Sequence, residues 1–107
     1  MSDTRAGITP RAGSDAQRAA LRSAVEGLGL KRFAFFGTSI EGKIYPDGIE
    51  ERSGFVLNED GRIWGFWTGW DDDRQQVVID EWWEEPVTPL LTSGREYERA
   101  RRELGLP

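Results

Sequence analysis

Arg62-Ile63-Trp64-Gly65-Phe66-Trp67-Thr68-Gly69-Trp70 is the stretch on which the fold turns. It holds three of the five tryptophans, follows Asn58-Glu59-Asp60-Gly61 and runs into Asp71-Asp72-Asp73. Its aromatic density between two turn signals reads as the central strand of a small antiparallel sheet. Alternation puts Trp64, Phe66, Thr68 and Trp70 on one face, and Ile63, Gly65, Trp67 and Gly69 on the other. A sheet with one wet face shows apolar residues on only one side. Here both sides are apolar, so both need a cover: the helices, a second subunit or a ligand.

Two turns of the same design flank the strand preceding this stretch. In Tyr45-Pro46-Asp47-Gly48 the proline fixes φ and the glycine accepts the left-handed region. Asn58-Glu59-Asp60-Gly61 repeats the pattern. If each is a type I turn with a glycine bulge, the flanking residues pair directly. The first hairpin then sets Tyr45 against Ile49 and Lys43 against Glu51. The second sets Leu57 against Ile63, Val56 against Trp64 and Phe55 against Gly65. An aromatic ring opposite a strand glycine covers the backbone that the glycine leaves bare. A slip of one residue would destroy all these pairings.

Strands are expected at about 31–36, 40–45, 49–57, 62–70 and 76–83, with Gly37-Thr38-Ser39 dividing the first two. Glu84-Glu85-Pro86 is expected to end the sheet, and Val87 to Leu91 to cross it as an apolar segment. Ser14-Asp15-Ala16-Gln17 has the form of a capping box, and Leu21, Ala24, Val25 and Leu28 make one helical stripe. Gly29 is the stop, which gives a helix over about 15–28. Ser93-Gly94-Arg95-Glu96 is a second capping box. Tyr97, Ala100 and Leu104 follow as a narrow stripe, giving a helix over about 94–104. The fold class is therefore α+β: a meander of about five strands flanked by an N-terminal and a C-terminal helix. Residues 1–13 are expected to be a flexible tail, and residues 14–107 a single domain.

The 107 residues include neither cysteine nor histidine. That excludes disulfides, thiolate nucleophiles, Cys/His zinc sites and every catalytic device built on an imidazole. Met1-Ser2-Asp3-Thr4-Arg5 lacks a signal-peptide core and no segment reaches membrane-span length, so a cytoplasmic protein without membrane contact is expected. The net charge of −5 is uneven: residues 53–92 carry two basic and nine acidic side chains. That middle repels a phosphate backbone, so no nucleic acid is expected there. It suits a basic protein surface or a cationic ligand.

The candidate binding residues are Trp67, Trp70, Asp71, Asp73, Trp82 and Trp83, which combine aromatic rings with carboxylates. Such a surface takes basic peptides by cation–π contact and ion pairing. Trp82 and Trp83 are adjacent and point to opposite faces. The glycines beside Trp67 leave space for a flat indole, a close helix or a slot for a ligand ring. Asp71-Asp72-Asp73 lacks the glycine and distal glutamate of an EF-hand loop, so no metal site and no cofactor are assigned. Asp71, Asp73, Asp80 and Glu81 are the carboxylates from which a glycoside-hydrolase pair would have to come. No nucleophile–base pair accompanies them. The leading expectation is a small acidic, non-catalytic interaction protein that binds through an aromatic sheet face and acidic loop, either as a homodimer or to a basic partner. The alternative is a small-molecule or carbohydrate-binding module that uses tryptophan stacking, with a carboxylate hydrolase as the residual reading.

Overall fold

The computed structural model describes residues 10–107. The chain runs α1 (Ser14–Glu26), β1 (Phe33–Ile44), β2 (Glu50–Asn58), β3 (Ile63–Asp71), β4 (Gln76–Glu85), α2 (Pro89–Thr92) and α3 (Arg95–Leu104). The four strands form one antiparallel sheet in the order β1-β2-β3-β4, so β1 and β4 are its edges. The class is α+β as expected, with four strands instead of about five. The difference lies at Gly37-Thr38-Ser39. The left-handed Gly37 (φ 59°) and Gly42 (φ 100°) shift the register against β2 without ending the strand. An extra residue bends an edge strand and increases its twist. The segments at 31–36 and 40–45 are thus one long, twice-bulged strand.

Both turns form as their sequences dictate. Gly48 (φ 87°) donates its N–H to the Tyr45 carbonyl at 2.9 Å, and Tyr45 donates to the Ile49 carbonyl at 2.8 Å. Gly61 (φ 82°) donates to the Asn58 carbonyl at 3.0 Å. In the second hairpin Leu57 faces Ile63, Val56 faces Trp64 and Phe55 faces Gly65, the register set by the turn. The ring over Gly65 is not Phe55, however. Phe55 lies over Gly37, while a Cβ at Gly65 would collide with the Trp83 indole.

The two-sided apolarity of the sheet is met by a helix on each face. Leu21 and Val25 of α1 pack with Phe33, Val56 and Phe66. Tyr97, Ala100 and Leu104 of α3 pack with Ala34, Phe36, Leu57 and Ile63. Consecutive residues enter opposite clusters, Phe33 against Ala34 and Val56 against Leu57, as strand alternation requires. A third cluster, of Tyr45, Ile49 and Val77, joins the tip of the first hairpin to β4.

Neither capping box caps. The helix caps are Gly13 and Gly94, with no side-chain hydrogen bond at either. Gln17 instead turns inward. Its Nε2 donates to the Gly48 carbonyl at 3.1 Å, and its Oε1 accepts the Glu50 N–H at 3.0 Å. Glu96 accepts the Gly37 N–H at 3.0 Å. Both side chains answer backbone groups freed by a turn or bulge, and for the buried Gln17 that demand is stronger than an exposed helix end that water can solvate.

Three boundaries also differ from the sequence reading. β4 continues to Glu85 before Pro86. The segment expected to cross the sheet starts a short helix at Pro89, where a missing N–H costs nothing. The expected tail falls mostly on residues 1–9, which lie outside the described residues. Ala12 donates to the Gly48 carbonyl at 2.8 Å, so that end of the segment is tied to the hairpin. Among the described residues no helix is long and apolar enough to cross a membrane.

Candidate functional site

The placement of α3 defines the site, for the helix lies mainly over β1 and β2 and leaves the β3–β4 side of its face open. Its ten residues rise only about 15 Å. The nine residues of β3 extend about 30 Å. The helix covers the half of its face that carries Phe36, Leu57 and Ile63 and ends at the left-handed Gly105 (φ 70°). On the uncovered half, alternation from Ile63 brings up Trp67, with Ser53 of β2 and Glu81 of β4 opposite it. Trp67 is 36% exposed and Trp83, two residues beyond Glu81 on the same face, is 39% exposed.

The space beside Trp67 is filled from β4. Trp83 lies over Gly65, and its Nε1–H donates to Glu85 Oε1 at 2.6 Å. On the other side, a Cβ at Gly69 would meet Asp80 Cβ at 2.7 Å, so the glycine makes room for that carboxylate. Asp80 is the extra residue of a bulge: Trp67 faces Glu81, whereas Thr68 already faces Ile79. The two glycines therefore shape no empty slot. They let one indole and one carboxylate lie flat against β3, on either side of Trp67.

Beyond Trp67 the sheet splits. The described β2–β3 ladder ends at Ser53 opposite Trp67, and the Thr68 hydroxyl replaces the next rung. It accepts the Arg52 N–H at 2.9 Å and donates to the Arg52 carbonyl at 3.3 Å. The Tyr45 hydroxyl shares a hydrogen bond with the same oxygen at 3.1 Å. Between the separated arms lies a cavity of about 450 Å³ bordered by Tyr45, Trp70, Glu51, Asp72, Asp80 and Lys43. Three carboxylates to one ammonium leave it negative. Burial pushes the Tyr45 phenol above its ordinary value, and the charges of Glu51 and Asp80 add to the rise, against the Thr68 hydrogen bond.

The six residues singled out in the sequence do not make one site. Trp67 and Trp83 share the uncovered face. Trp82 is on the opposite face, stacked on Trp64 at 5.6 Å and 11°. Trp70 is half-buried and stacked on Tyr45 at 5.7 Å and 22°, with its Nε1–H buried and unpaired. Asp71 shapes the loop after β3 by accepting the Asp73 and Arg74 N–H groups at 3.0 and 3.2 Å. Asp73 is exposed at that loop. Glu51, Asp80 and Glu81, which flank Trp67 or the cavity, are not among the six. Lys43 opposite Glu51 placed one of them in the sequence, but the bulge that lays Asp80 against Gly69 has no local signature. Among the described residues no three carboxylates are grouped to hold a metal ion. No family model, curated protein or solved structure matches the chain.

Proposed function

We infer that this protein is a non-catalytic binding module that receives a basic protein segment on the uncovered half of its sheet. One observation carries the reading. Because α3 lies over β1 and β2, Trp67 and Trp83 stay exposed between Glu81, Glu85 and the carboxylate-lined cavity of Glu51, Asp72 and Asp80. Indole faces beside carboxylates attract Lys and Arg side chains by cation–π contact and by charge. The stacking-platform alternative would rest on Trp67 with Trp83, since Trp70 stacks on Tyr45 and Trp82 on Trp64. Self-association is the competing use of the same face. It would bring the carboxylates of two copies together, and the helices already meet most of the need for a cover.

The test is a titration with a lysine- and arginine-rich peptide, followed by tryptophan emission. Binding should weaken steeply between low and physiological salt. Combining Glu51→Gln, Asp80→Asn and Glu81→Gln should reduce affinity by about tenfold or more, since each exposed charge pair contributes roughly 0.5 kcal/mol. Equal binding of an acidic peptide, or indifference to the triple substitution, would remove the basis of this reading.

A further inference from the structure

We propose that the basic segment binds as an added β-strand along the outer edge of β4, with its side chains alternating over Glu81, Trp83 and Glu85. The inference rests on the function proposed above and specifies its mode. β4 is the last strand of the sheet, ten residues long and free of proline. Every residue therefore brings an N–H, and alternate residues direct theirs away from β3. Among the described residues no turn, loop or side chain hydrogen-bonds to the backbone of Glu81–Glu85 from outside the sheet. The opposite edge is handled differently. Two bulges twist β1, and Glu96 of α3 caps its Gly37 N–H at 3.0 Å. Exposed edges are normally blunted in such ways. On β4 the Asp80 bulge disturbs only the middle of the strand, and Glu81 to Glu85 pair with β3 in unbroken register.

The charge of this edge selects the occupant. Asp80, Glu81, Glu84 and Glu85 lie within six residues, and among the described residues only Glu84 has a basic partner, Arg62. Two β4 strands pairing antiparallel about a two-fold axis at Glu84 would set Glu84 against its own copy. Shifting the axis to Trp83 would set Glu81 against Glu85. Like charges directly opposite destabilise a strand pair. A strand with Lys or Arg at alternate positions turns the same contacts favourable. On the exposed face it meets carboxylate, indole and carboxylate in turn, so the central basic side chain packs on the Trp83 ring. Main-chain bonds then supply affinity and the alternate side chains supply specificity.

The probe is a nine-residue peptide with Lys or Arg at alternate positions and Val or Thr between them. Two further versions carry N-methyl groups on one or the other alternate set of backbone amides, with charge unchanged. The parent peptide should bind and slow hydrogen exchange across Glu81–Glu85. One methylated version should lose affinity by about tenfold or more, since it loses several ladder bonds, and the other should bind nearly as the parent does. If both methylated versions bind like the parent and exchange in β4 is unchanged, strand addition is wrong while the basic-face reading stands. Equal weakening of both would also overturn it, because a ladder uses only one set. If none of the peptides binds, both readings fall.

Discussion

Thr68 does the work of a backbone unit with a side chain. It is 3% exposed, and its hydroxyl serves the Arg52 N–H, the Arg52 carbonyl and the Tyr45 hydroxyl together. Thr68→Val keeps the volume and strands all three groups. The expected loss is about 1–3 kcal/mol, the cost of leaving a buried polar group unpaired, read from the denaturant midpoint. Tyr45 gives a second prediction, on pH. Its folded pKa lies above the ordinary 10.0, so the unfolded chain ionises first as pH rises. Its stabilising contribution is complete below pH 10 and is lost as pH climbs through the folded value. Alkaline unfolding monitored with the 295 nm phenolate band should show this loss, and Tyr45→Phe should abolish it. Neither residue advertised its role. Thr68 read as one more strand position, and its partners lie 16 and 23 residues away along the chain. That Trp82 and Trp83 point to opposite faces was legible, because alternation is a local property. Which of the two a helix would reach was not.

The elements show why a motif with the right letters can serve another purpose. Ser14 to Gln17 fits a capping box, yet Gln17 bonds the hairpin tip at Gly48 and Glu50. An exposed helix end has water to bond; a buried turn does not. Gly48 is required there twice over: its φ is 87°, and a Cβ would meet the Pro10 carbonyl oxygen at 2.5 Å. Gln17→Leu should keep helix content and loosen the tip. We expect a stability loss of about 1–3 kcal/mol from the orphaned Glu50 N–H, since the Gly48 carbonyl keeps the Ala12 N–H. Faster hydrogen exchange at the Gly48 and Glu50 region should accompany it, and unchanged exchange there would show that the bracket contributes little. The glycines of β1 teach a related lesson. Gly37 reads as a break because glycine disfavours strands, but in an edge strand it makes a bulge, and the Phe55 ring fills the gap.

For the whole molecule, the question posed by the two-sided strand is how completely the helices answer it. α1 and α3 cover one face each, but α3 lies mainly over β1 and β2. The consequence is a sheet whose uncovered half is acidic and aromatic. Light scattering over a range of concentrations is expected to give a monomer, because copies meeting through this face would oppose carboxylates. A stable dimer at low concentration would instead make the face a subunit interface. The sequence by itself determined the α+β class, the two hairpins, the register of β2 against β3 and the residues on each side of the central strand. These rest on turn chemistry and on a period of two, which act between near neighbours. Tertiary structure alone decided that Trp67 and Trp83 stay exposed while Trp70 and Trp82 stack, that the capping boxes serve other ends, and that β4 keeps an open edge. Those outcomes depend on where a helix ends over a sheet and on which backbone groups are left without water, and no short stretch of residues encodes either.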